Sequence, residues 1–89
     1  MTEPTESLIV YPSDFPIKIM GPTHDDFAQT IIELVLQFDM SFDPATLETR
    51  PSAGGKYLGL TVTVRATSRE QLDDLYRALT SHPMVKIVL

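Results

Sequence analysis

No cysteine occurs in the 89 residues, which excludes disulfide frameworks, zinc–thiolate sites, thiol nucleophiles and CxxC redox motifs. Its absence also fits a reducing cytosol. Basic residues are scarce: seven Lys and Arg stand against twelve Asp and Glu, a net charge of −5. Only a concentrated basic patch could then attract a phosphate backbone. Long apolar runs are missing as well, none approaching the roughly 20 residues of a membrane span. The start "MTEPTESLIVYPSDF" holds no Lys or Arg and too short an apolar run for a secretory leader. The expectation is a cytoplasmic protein without nucleic-acid or membrane partners.

What is present is a globular composition, 43% hydrophobic and 21% charged, with seven prolines spread along the chain. A chain of this length makes one domain and buries roughly 60 to 65% of its unfolded surface. One core fills it, so a ligand site belongs at an edge, a loop cleft or between subunits.

Residues 1–13 read as a flexible or loosely docked N-terminal segment, and residues 14–89 as a single domain. In "FPIKIMG", Phe15, Ile17 and Ile19 alternate with Lys18 and Met20, as in a strand, until Gly21-Pro22. Thr23 with Asp26 has the look of a helix start, and Phe27, Ile31, Leu34, Val35 and Phe38 then fall on one stripe to about Asp39. A turn at Asp43-Pro44 leads to a shorter, more polar strand near Thr46 to Pro51. The Ala53-Gly54-Gly55 turn precedes the clearest strand, in which Leu58, Leu60, Val62, Val64 and Ala66 alternate with Tyr57, Gly59, Thr61, Thr63 and Arg65. Ser68 and Gln71 form a capping-box pattern for a helix to about Ser81. "MVKIVL" closes as a strand with Val85, Ile87 and Leu89 turned inward. This order predicts an α+β fold, a two-layer ferredoxin-like βαββαβ sandwich whose four-stranded antiparallel sheet carries both helices on one face.

The uncovered face then receives Lys18, Met20, Glu48, Arg50, Tyr57, Thr61, Thr63, Arg65, Met84, Lys86 and Val88. Four of seven basic side chains meet one acid there. Antiparallel sheets commonly leave one face solvated, whereas apolar groups among charges mark interfaces. On the second reading Lys18, Met20, Arg50, Tyr57, Arg65, Met84, Lys86 and Val88 form the candidate partner-binding set. RNA recognition would need stacking aromatics where this face has Thr61 and Thr63.

Catalytic motifs do not emerge. His24-Asp25-Asp26 reads as a solvated helix start, and His82 has no partner nearby in sequence. "PSAGGKY" fails as a phosphate loop because its lysine opens a strand, not a helix. No catalytic, metal or cofactor-binding residue is assigned.

The order of elements, "PSAGGKYLGLTVTVRATSREQLDDLYRAL" and the terminal "MVKIVL" resemble the small bacterial YbeD-like family of uncharacterised proteins across about residues 13 to 89. That resemblance implies an ACT-like fold and a regulatory role. ACT domains bind amino acids near the first strand–helix loop, often between subunits, which makes Gly21, Pro22, Thr23, His24 and Asp25 the candidate ligand loop. Here the usual Pro-Gly order is reversed to Gly21-Pro22. The leading expectation is a non-enzymatic regulatory or interaction domain associating through its open sheet face, with a protein partner or with itself as a homodimer. The alternative is an amino-acid-like metabolite sensor at the loop of a dimer. An acylphosphatase-type hydrolase, the remote third, lacks the arginine such a loop requires.

Overall fold

The computed structural model describes residues 10–89. Four strands and two helices follow one another as β1 (Ser13–Pro22), α1 (Phe27–Leu36), β2 (Glu48–Pro51), β3 (Tyr57–Ala66), α2 (Arg69–Ser81) and β4 (Ile87–Val88). The sheet is antiparallel in the order β2-β3-β1-β4, with both helices on one face. That is the βαββαβ sandwich the periodicity predicts. The expectation for the N-terminal segment falls mostly outside the described residues; within its last four, Tyr11 packs against the core.

The core is where the two periodicities meet. Ile17 and Ile19 of β1 and Leu60, Val62, Val64 and Ala66 of β3 turn inward by strand alternation. Phe27, Ile31 and Val35 of α1 and Leu72, Leu75 and Leu79 of α2 meet them by helical spacing. Each of these side chains larger than alanine contributes about 1.5–3 kcal/mol by leaving water. Gly21 belongs to this packing through its missing side chain. A Cβ there would stand 2.4 Å from Phe27 Cζ and 2.6 Å from the Met84 carbonyl oxygen.

Helix α1 begins later than the sequence suggests. Thr23 does not cap it: its hydroxyl donates to the Gly55 carbonyl at 2.7 Å, tying the loop after β1 to the β2–β3 hairpin. Asp26 occupies the cap position without a side-chain bond. The hairpin turns on Gly54 and Gly55, whose φ of 85° and 73° suit glycine. Strand β2 starts at Glu48, because Pro44–Thr46 winds into a short 3-10 turn capped by Asp43.

Helix α2 starts as expected, with the Ser68 hydroxyl accepting from the Gln71 amide at 3.1 Å. The Gln71 side chain does more than close a capping box. Its Oε1 accepts from the Thr67 amide at 2.7 Å, and its Nε2 donates to the Phe38 carbonyl at 2.7 Å and the Arg65 carbonyl at 3.2 Å. Nearby, buried Asp39 accepts from the Arg65 and Ser41 amides at 2.8 and 3.0 Å and from the Ser41 hydroxyl. Burial pushes the Asp39 carboxyl up, but the Ser41 hydroxyl, the two amides and the Arg65 charge outweigh it and hold the carboxyl below its ordinary value.

Candidate functional site

Strand β4 departs from the expected parity, and the departure builds the site. The Lys86 amide donates to the Met20 carbonyl at 2.8 Å, yet the residue paired with Met20 is Ile87. Two consecutive residues thus oppose one, the pattern of a β-bulge, which reverses the inward–outward alternation beyond it. Val88 pairs with buried Ile19 and packs against the core, as does Met84, so neither belongs to the open face. Ile87 and Leu89, expected inside, are 49% and 73% exposed on the open face.

The register arranges this face in rows. Arg50, Gly59, Met20 and Ile87 lie side by side across β2, β3, β1 and β4. The next row runs Glu48, Thr61, Lys18 and Leu89, the last two exchanging backbone hydrogen bonds at 3.2 and 2.8 Å. Together the rows line an open trough of about 820 Å³. Gly59 supplies its hollow: the Met20 methyl lies 4.0 Å from where a Cβ would stand, and the Arg50 carbonyl oxygen 3.4 Å. Of the six large apolar side chains exposed among the described residues, Met20, Tyr57, Ile87 and Leu89 are on this face. Apolar exposure is therefore concentrated and not scattered.

Of the candidate partner-binding set, the structure brings Lys18, Met20 and Arg50 together in the trough. Tyr57 stands beyond it at the hairpin end, with the Lys56 ammonium 6.0 Å from its ring centre. Lys86 is exposed at the bulge, outside the trough lining. Arg65 lies about 13 Å along β3 from Thr61, at roughly 3.3 Å per residue. It is opposite Asp14, which β1 includes by starting at Ser13, so the face carries two acids.

The candidate ligand loop is closed on itself. Gly21 is buried under Phe27, the Thr23 amide and hydroxyl bond the hairpin, and His24 Nδ1 accepts from the Asp26 amide at 3.0 Å. Pro22 is half-buried and Asp25 is exposed. His82 is likewise engaged, its Nδ1 accepting from the Met84 amide at 3.1 Å. Among the described residues no group of three or more His, Asp or Glu could hold a metal ion. No described helix is long and apolar enough to cross a membrane.

A two-layer α+β domain with one open, partly apolar sheet face is thus the class to which this chain belongs. Its family is narrower. Residues 6–89 match the family described as "Protein of unknown function (DUF493)", and the chain belongs to it. A UPF0250 protein of Bordetella pertussis is 74% identical over 86 residues, covering 97% of this chain and 94% of that one. Another, from Ralstonia nicotianae, is 72% identical over 88 residues, covering 99% and 91%. The family is the uncharacterised YbeD-like one to which the sequence pointed, and these names state no enzymatic activity. The solution structure of protein HP0495 from H. pylori superposes with a TM-score of 0.75 at 18% identity, covering 100% of this chain and 97% of that one. That likeness establishes the shared fold.

Proposed function

We propose that the protein is a non-enzymatic interaction domain that docks a protein partner in the trough of its open sheet face. The observation supporting this is the gathering of exposed Met20, Ile87 and Leu89 on the β1 and β4 side of the trough, with Lys18 among them and Arg50 on the opposite β2 edge. A sheet face that meets only water is ordinarily polar. Exposed apolar side chains clustered among charged ones are the composition of an association surface. A regulatory role for the docking extends the ACT-like resemblance. The sheet is favoured over the loop of residues 21–25 because that loop spends Thr23 and His24 on its own backbone bonds.

Photo-crosslinking in the native cell tests the reading, with the photoreactive residue placed at Met20 and, as control, at exposed Thr80 on α2. Adducts are expected from position 20 and not from 80, and Lys18→Glu with Arg50→Glu should abolish them while leaving the circular dichroism intact. Equal yields from both positions, or adducts indifferent to charge reversal, would overturn it.

A further inference from the structure

We infer that the occupant of the trough is a second copy of this chain, packed face to face across a two-fold axis. The inference rests on the docking reading above and names its partner. An axis in the plane of contact, perpendicular to the strands and midway between the two rows, lays each row over the other row of the second copy. Arg50 then meets the partner's Glu48, and Glu48 the partner's Arg50. Ile87 meets the partner's Leu89 at the opposite end, and Gly59 faces the partner's Thr61. Met20 lies along the carbon stem of the partner's Lys18, which carries its ammonium outward.

Charge selects this axis. Rotating about an axis parallel to the strands would press Arg50 onto the partner's Ile87 and Glu48 onto the partner's Leu89, leaving four charges against apolar side chains. A purely acidic partner would suit Lys18 and Arg50 but confront Glu48 with like charge. A surface carrying both signs in the reverse row order satisfies Arg50 and Glu48 together while Lys18 keeps its ammonium in solvent, and the chain's own face is such a surface. The hollow at Gly59 also permits close approach of sheets that normally pack about 10 Å apart and about 30° from parallel. Strands spaced about 4.8 Å apart give a face about 15 Å wide, so the contact is small among protein interfaces. A contact of that size suits a reversible, concentration-dependent dimer.

Sedimentation velocity of the full chain from micromolar to millimolar concentration tests the pairing, with circular dichroism confirming the fold of each variant. The wild type should dimerise with concentration. Arg50→Glu and Glu48→Arg should each weaken the dimer by about tenfold or more, because each puts like charges opposite one another. An equimolar mixture of these two variants should form heterodimers, and the double swap Arg50→Glu with Glu48→Arg should regain the wild-type affinity. A dimer indifferent to both substitutions, or a mixture that stays monomeric, overturns the inference. A wild type monomeric at millimolar concentration that still gives position-20 adducts to another protein overturns the second copy and leaves the docking reading standing. Absence of both the dimer and the adducts removes the two together.

Discussion

Asp39 Oδ2 accepts the backbone amide proton of Arg65 at 2.8 Å and so takes the place of a strand neighbour. β2 pairs with β3 only between Leu58 and Thr61, so the outer edge of β3 runs on past it to Arg65. There Asp39 satisfies the Arg65 N–H, and Gln71 donates to the Arg65 carbonyl. Two side chains from the helical layer thus finish a sheet edge that the short β2 leaves open. Unfinished edges invite pairing with other chains.

Replacing Asp39 tests this edge and sets a pH signature. Its pKa is lowered in the folded state, so its contribution is fully present above the unfolded value near 3.9 and is lost as pH falls through the folded value. Asp39→Asn should cost about 1–3 kcal/mol in urea unfolding at neutral pH. The deficit should shrink as pH falls below about 4. A deficit equal at both pH values would show that the carboxylate charge is irrelevant.

Gln71 predicts an apparent paradox among conservative changes. Gln71→Glu keeps the acceptor for the Thr67 amide but aims a carboxylate at the Phe38 and Arg65 carbonyl oxygens. It should destabilise at neutral pH at least as much as Gln71→Ala, by about 1–3 kcal/mol, and part of its loss should return on acidification. Thermal unfolding at two pH values checks it.

Two glycines should respond in opposite ways. Gly21→Ala drives a methyl into the Phe27 ring and the Met84 carbonyl and should cost about 1–3 kcal/mol or more. Gly59→Ala meets only ordinary contacts and, in a central strand, should leave the melting temperature unchanged or raised. Differential scanning calorimetry separates them.

The bulge makes a prediction about adjacent residues. Val88→Asp puts a carboxylate beside Ile19 on the core side and should prevent folding, whereas Ile87→Asp faces solvent and should leave an intact fold. Equal tolerance of both would place β4 in another register. Heteronuclear NMR spectra read the outcome directly.

The architecture was legible because long periodic segments leave little choice. Leu58 to Ala66 alternate without interruption, and Leu72, Leu75 and Leu79 have one helical solution. The site was half legible. Lys18, Met20 and Arg50 followed from alternation, but in "MVKIVL" five of six residues are apolar, so either parity gives a plausible inner face. What decides it is a bulge, fixed by the Met20 carbonyl on a distant strand. Thr23 misled for a similar reason: a hydroxyl before a helix is an ordinary cap, and only the folded hairpin offers it the Gly55 carbonyl. The roles of Asp39 and Gln71 were not legible, because they appear only once β3 is seen to run on past the end of the short β2 to Arg65.

The central pairing of β1 with β3 bears on how the chain finds its fold. Its register joins Ser13 to Ala66 and Pro22 to Tyr57, so the two middle strands meet only after most of the chain has been made and brought round. The β2–β3 hairpin and the helices can form locally, but the sheet's middle cannot close before these distant partners do. Loop closure must be met in full before its contacts return anything, which makes such a domain slower to fold than a helical bundle of its size. During synthesis β1 must wait beside the hairpin's future position with its apolar face uncovered, and that interval, rather than the finished molecule, is when the chain is most exposed to misassembly.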